Sequence, residues 1–284
     1  MKKFTYFLIL LIFSSCEKDN DDGIPTYLKI NNIELSGGFT SNITDAWVYI
    51  NGQLQGVYEL PAKFPVLEKG NTNIKVYAGI KNNGIASQRV IYPFYSSDTI
   101  NKVLTVNSTT VIDPIVNIKE NIGDGVYVDF ESTHSFNFDA GFQKVISDEE
   151  GNYGSLSLSD SDSMLITEIN YEDFPLNFDN VPQQGSPTYM ELDYRSNTAF
   201  LIGVYINYPN LPTVEMGLIW VNTKEDWNKI YIDLTQTLSE AINSESFSVF
   251  IRMQRDSLDE NRLDFDNLRV IHYEKQNIKL NVDL

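Results

Sequence analysis

Helical periodicity is nearly absent from this chain. Most segments are short runs in which apolar and polar residues alternate, and Gly, Asn, Asp or Pro interrupt them. A period of two places alternate side chains on opposite faces, the pattern of a strand with one face buried. The 16 Tyr and 16 Phe, with many Val, Ile and Thr, are also strand composition. The plausible helix is about two turns near Thr237 to Ile242. Strands separated by turns at short intervals predict an all-β chain built from β-sandwiches.

Charge and composition exclude several classes. The chain of 284 residues has 21 Lys plus Arg against 39 Asp plus Glu, a formal charge of −18. That opposes nucleic-acid binding, because phosphate recognition depends on Lys and Arg. A single Cys excludes an internal disulfide framework and a Cys-based zinc site. Two His, at 134 and 272, exclude a His-rich metal centre. Asp148 to Asn152 and Asp160 to Ser163 lack EF-hand spacing and read as solvated acidic turns. No nucleophile elbow, P-loop or dinucleotide fingerprint is present, and the expectation is a protein that is not an enzyme.

The first residues read as an address. Met1-Lys2-Lys3 is basic, and Phe4 to Phe13 is an apolar stretch of ten residues. That is short of the roughly 20 residues of a membrane-spanning helix and fits the core of a secretory signal. Phe13-Ser14-Ser15-Cys16 follows and resembles a bacterial lipoprotein cleavage box, with Phe13 where Leu is usual. The resemblance implies a signal peptide over 1–15 and lipidation of Cys16. Glu17 to Gly23 opens an acidic tether, 16–25, that resembles the surface-export signal of lipoproteins in the Bacteroidota. A flexible polar linker is the other reading. The expected place is the outer membrane, lipid-anchored and surface-exposed. A strongly acidic body is repelled by an anionic membrane, so lipid must do the anchoring.

Two sandwiches are expected after the tether. In the first, 26–116, Ala46 to Ile50 is a strand, Asn51-Gly52 a hairpin turn and Gln53 to Tyr58 the return. Leu60-Pro61-Ala62 breaks the ladder, Asn73 to Ala78 follows the Lys69-Gly70-Asn71 turn, and Val103–Val106 and Thr110–Ile112 are late strands. The run VYINGQLQGVYELPAKFPVLEKGNTNIKVYAG resembles a PEGA-type or carboxypeptidase-regulatory-like domain. That implies a small immunoglobulin-like β-sandwich used as a spacer. Residues 117–124 read as a linker, 125–275 as the second unit and 276–284 as a tail.

The second unit carries four ordered pieces: Val128 to Ser132, Met190 to Arg195, Trp227 to Leu234, and Phe265 to Val270. Together they resemble the galactose-binding-like jelly roll that includes many carbohydrate-binding modules. The residues speak separately from that resemblance. Ile230, Ile232 and Leu234 alternate with Tyr231 and Asp233, so one face is buried, and Trp227 reads as a core plug. Leu268 and Val270 alternate with Arg269 and Ile271, as in a strand covered on both sides. Gly203, Tyr205 and Asn207 share the wetter face of their strand.

A sugar site needs exposed aromatics with hydrogen-bonding groups beside them. The candidates are Tyr205, Tyr208 and Trp220, with Tyr189, and Arg195 and Asn207 as polar partners. The jelly-roll resemblance further implies one structural Ca²⁺ held by Glu131 and Asp266, with backbone carbonyls and water completing about six to eight oxygens. The other reading leaves Asp266 capping a turn and Glu131 solvated. Two functions stay open: a non-catalytic lipoprotein that binds glycan through its jelly roll, and a structural lipoprotein that binds another envelope protein.

Overall fold

The computed structural model of the chain describes residues 23–131, 142–149, 151–158, 163–169, 181, 184–256 and 260–274. Residues 1–15, Cys16, most of the tether, His134, Asp160, Asp162 and the tail 276–284 lie outside them. No helix among the described residues is long and apolar enough to cross a membrane.

The protein is all-β, two sandwiches in succession. The first holds β1 (Thr26–Ile30), β2 (Glu34–Leu35), β3 (Asp45–Ile50), β4 (Gln53–Glu59) and β5 (Ala62–Val66). It continues with β6 (Gly70–Lys81), β7 (Arg89–Ile91), β8 (Ser97–Leu104), β9 (Thr109–Ile112) and β10 (Ile115–Val116). One sheet has the order β5-β1-β9; the other runs β4-β3-β6-β7, with β8 also on β6. Asn51 and Gly52 both adopt positive φ, 50° and 83°, which a tight hairpin turn requires. Ala46, Val48 and Ile50 point inward to meet Ile74, Val76, Leu28 and Ile30. The late strand ends at Leu104 rather than Val106; Val103 is exposed and residues 106–107 form a turn.

The second sandwich holds β11 (Ile122–Val128), β12 (Phe142–Asp148), β13 (Gly151–Leu158), β14 (Met164–Ile169), β15 (Thr188–Ser196) and β16 (Phe200–Asn207). It ends with β17 (Val214–Val221), β18 (Lys224–Asp233), α1 (Thr235–Glu240), β19 (Ser246–Gln254) and β20 (Asn261–Tyr273). A six-stranded sheet runs β12-β13-β20-β15-β18, with β11 also on β20. It faces a four-stranded sheet, β14-β19-β16-β17. Ile230, Ile232 and Leu234 enter the core between them with Ile202, Val204, Val249 and Ile251. The helix starts two residues earlier than the sequence suggested. Asp233 Oδ1 accepts the Thr235 N–H at 2.9 Å and turns the chain there, while Ile242 is left exposed.

The same alternation corrects the reading of Trp227. It shares the parity of Lys229 and Tyr231, so it lies half-buried on the outer face of the six-stranded sheet and not in the core. There it meets Tyr153 edge-on at 5.4 Å.

The two sandwiches are joined through that outer face. Residues 117–119 pair with 94–96: Ser96 N–H donates to Asn117 O at 2.7 Å and Lys119 N–H to Phe94 O at 2.9 Å. Tyr92, Phe94 and Tyr95 of the first unit pack against Tyr189, Tyr231 and Ile271 of the second in one continuous core. Tyr231 is fully buried, and its hydroxyl accepts the Asn42 N–H at 2.9 Å and meets the Tyr95 hydroxyl at 3.2 Å. Its carbonyl accepts the Asn83 N–H at 2.9 Å, and Asn83 Oδ1 accepts the Asp233 N–H at 2.8 Å.

Beneath this layer Lys229 Nζ lies 3.0 Å from Glu191 Oε2 and 3.6 Å from Asp193 Oδ1, and donates to Thr40 Oγ1 at 3.1 Å. Tyr92 donates its hydroxyl to Glu191 Oε1 at 2.5 Å. Burial, then the Glu191 charge, hold the Tyr92 phenol well above its ordinary range, so it stays a donor. Removing one partner of such a buried group leaves an uncompensated charge. Lys229→Met is therefore expected to lower the free energy of unfolding by about 3–5 kcal/mol in urea titrations. A loss below about 1 kcal/mol, the level of an exposed pair, would contradict this account.

Candidate functional site

The first sandwich covers much of the outer face of the six-stranded sheet. Among the described residues no strand of the four-stranded sheet pairs with a strand of the first sandwich. Parity assigns the residues of that sheet. On β16 Phe200, Ile202, Val204 and Ile206 go to the core, leaving Leu201, Gly203, Tyr205 and Asn207 outside. On β19 Phe247, Val249, Ile251 and Met253 go inward, leaving Ser246, Ser248, Phe250 and Arg252 outside. On β17 the register sets Trp220 opposite Leu201 and Glu215 opposite Tyr205, with a bulge between. Tyr205, Asn207 and Trp220 thus share one face.

That face has a built centre. Gly203 has no side chain, and the Phe250 ring lies across it; any Cβ at 203 would collide with that ring. Phe250 is outward by parity yet 0% exposed. Its cover is the Tyr205 ring, centroid 4.6 Å away and tilted by 34°, and the Arg252 guanidinium, 5.3 Å from its centroid. Arg252 Nη2 pairs with Glu215 Oε1 at 2.6 Å, and the Tyr205 hydroxyl approaches Glu215 Oε2 at 3.5 Å. The Arg252 Nε–H is buried without an acceptor among the described residues. Asn207 donates to Ser246 Oγ at 3.0 Å and accepts from Thr213 Oγ1 at 2.7 Å. Trp220 is 50% exposed. The result is a Tyr205 ring laid over the buried Phe250 and bordered by a fixed cation, a carboxylate, an amide and hydroxyls, with Trp220 farther along the same face, opposite Leu201.

Other sequence candidates fall elsewhere. Tyr208 is half-buried against the core of the same sandwich. Tyr189 is buried between the sandwiches, donating to Asp233 Oδ2 at 3.2 Å, and is removed from any surface site. Arg195 stands on the opposite sheet. Its guanidinium lies 5.1 Å from the Tyr153 ring centre and 4.9 Å from that of Trp227, and it pairs with Asp264 Oδ2 at 2.9 Å. Phe250, Arg252 and Glu215 were missed. Only part of the signal was in the sequence: Ser246, Ser248 and Arg252 mark the outer face of β19, but Val249-Phe250-Ile251 is a continuous apolar run that hides the parity of Phe250, and Glu215 lies on another strand.

Glu131 and Asp266 lie near each other, Asp266 on the central strand β20 between the stretches that pair with β13 and with β11, with Asp129 and Asp193 close by in charge. Each carboxylate is engaged by asparagine. Glu131 Oε1 accepts the Asn152 N–H at 3.1 Å and Oε2 accepts Asn152 Nδ2 at 3.0 Å. Asp266 Oδ1 accepts the Asn267 N–H at 2.7 Å and Oδ2 accepts Asn267 Nδ2 at 3.1 Å. Among the described residues no three His, Cys, Asp or Glu are disposed to hold a metal ion. Two carboxylates leave most of a calcium ion's roughly six to eight oxygens to backbone carbonyls, side-chain amides and water.

The comparisons with known proteins come to this. No protein-family model matches the sequence, and no curated protein is a significant relative. Solved structures overlap it loosely. One, a study of carbohydrate-binding modules of the β-sandwich superfamily, shares 14% identity over 80% of this chain and 84% of its own, TM-score 0.35. A Clostridium thermocellum xylanase fragment complexed with xylohexaose shares 10% over 52% of this chain and 28% of its own, TM-score 0.38. A family 11 carbohydrate-binding module of a cellulosomal cellulase from the same organism shares 11% over 53% and 95%, TM-score 0.35. What each of these binds belongs to that protein.

Partial burial, then the charges of Asp193, Asp129 and Glu131, raise the Asp266 carboxyl from 3.8 to about 7. The folded state then holds a proton that the unfolded state has already lost between pH 4 and 7. Stability from this group rises as pH falls from 8 to 5. Asp266→Asn is expected to raise the melting temperature at pH 8 and to flatten its rise on acidification. An unchanged pH profile in that variant would contradict the assignment.

Proposed function

We infer that this chain is a non-catalytic glycan-binding protein of the cell envelope, held at the outer membrane by lipid on Cys16. It takes its glycan on the outer face of the four-stranded sheet. The observation that carries the reading is the Tyr205–Phe250–Arg252–Glu215 group, with the exposed Trp220 farther along the same sheet face. Sugar rings present apolar C–H faces and a rim of hydroxyls. An aromatic floor with fixed donors and acceptors at its edge meets both needs. The Arg252–Glu215 pair fixes those donors before the ligand arrives, which lowers the entropy lost on binding. The anchor is supported by the basic start, the apolar run and the small residues before the single Cys.

A protein partner is the second reading. It is favoured by Leu211, Val214 and Met216, which are exposed along or beside β17, an edge strand. An open strand edge with apolar side chains can pair with another chain.

A glycan-array screen of the full chain tests the choice. The expected outcome is saturable binding to one glycan class. Tyr205→Ala and Arg252→Ala are each expected to weaken it about tenfold or more, as central residues of a binding surface do. Absence of binding across the array would transfer support to the protein partner. Glycan binding that neither substitution weakens would place the site elsewhere.

A further inference from the structure

A cleft of about 480 Å³ opens between the two sandwiches. One wall is the turn after β6 in the first unit, and the other is the β17–β18 connection of the jelly roll, where the chain crosses between its two sheets. The walls are fixed by the interface already described. Asn82 bridges Tyr231, and a Cβ on Gly84 would sit 2.9 Å from Ile230 Cδ1, so the turn lies directly on the sheet. Trp220 belongs both to this cleft and to the sheet face proposed to bind glycan.

The electrostatics of the cleft run against those of the chain. Acidic residues outnumber basic ones by 39 to 21, yet no Asp or Glu lines the cleft among the described residues. Three lysines do. Lys229 is committed to Glu191 and Asp193. Lys81, on the first unit, and Lys224, on the jelly roll, have no ion-pair or side-chain hydrogen-bond partner among the described residues. The side chains of Trp220, Asn222 and Thr223 beside them are also without partners there. An aromatic surface, an amide, a hydroxyl and two ammonium groups from opposite walls are thus left unused in one recess.

Resting on the glycan-binding reading above, we propose that the cleft extends that site and selects an oligosaccharide bearing anionic groups, carboxylate or sulfate. The glycan chain passes from Tyr205 over Trp220 into the cleft. Lys81 and Lys224 meet its anionic groups there, and Asn222 and Thr223 read neighbouring hydroxyls. Charge-assisted hydrogen bonds are stronger than neutral ones, so the ammonium groups discriminate against an uncharged chain of equal length. Because the two lysines come from different sandwiches, the selectivity belongs to the joined pair and to neither unit alone.

The test is titration calorimetry of the full chain with three probes of matched length: an oligogalacturonate, a sulfated oligosaccharide and a neutral xylo-oligosaccharide. At low salt, one anionic probe is expected to bind at least tenfold more tightly than the neutral one, and raising salt should remove most of the difference. Which anionic probe binds identifies the acidic group. The double variant Lys81→Ala/Lys224→Ala should lose that preference while keeping its melting temperature, since neither side chain has a partner to lose. Equal affinity for all three probes, or an anionic preference that survives the double variant, overturns the cleft assignment and leaves the sheet site standing. Failure of all three probes, with no binding on a broad glycan array, overturns the glycan reading itself.

Discussion

The buried contact of Lys229 with Glu191 and Asp193, roofed by Tyr92 and Tyr231, decides how the rest of this molecule is arranged. Three charges sit inside a continuous layer of tyrosines between two sandwiches. Withdrawing such charges from water is unfavourable, and only close partners offset it. Glu191 finds both Lys229 and the Tyr92 hydroxyl, the latter supplied by the other sandwich. Polar satisfaction therefore holds only while the two units are docked. The apolar contacts of Phe94, Tyr189 and Ile271 add burial but little direction. The hydrogen bonds to Asn42, Asn83 and Thr40 set the orientation.

This docking distributes the surfaces. The six-stranded sheet gives much of its outer face to the first sandwich, leaving the Tyr153–Arg195–Trp227 cluster on the remainder. The four-stranded sheet keeps its outer face, the platform that carries Tyr205, Asn207, Trp220, Arg252 and Glu215. The first unit also contributes a surface of its own. Its 81–86 turn forms one wall of a recess that borders the platform at Trp220.

Much of the fold was legible because a period of two is unambiguous. Ile230, Ile232 and Leu234 declared the inner face of β18, and Asn51-Gly52 declared its hairpin. The same rule, carried back from Ile230 through Lys229, would have placed Trp227 outside; the size of an indole outweighed its parity. The interface was not legible. Tyr231 and Lys229 sit at outward positions of β18, and a sequence shows such positions as surface whether water or a second domain covers them. The binding face was half legible. Tyr205, Asn207 and Trp220 were found from aromatic and polar character, whereas Phe250, Arg252 and Glu215 needed the register of β17 and β19 against β16. Arg195 was near Tyr205 in sequence and lies on the other sheet, because the chain crosses from the six-stranded to the four-stranded sheet between β15 and β16.

The central claim is that glycan is held on the outer face of the four-stranded sheet. Hydrogen–deuterium exchange of the full chain, with and without a saturating array-selected oligosaccharide, tests it most directly. The account predicts slowed exchange along the edge strand 214–220 and in 203–207 and 248–252. Protection confined to the sheet that carries Tyr153 and Trp227, or no change in 203–220 at saturation, would contradict it.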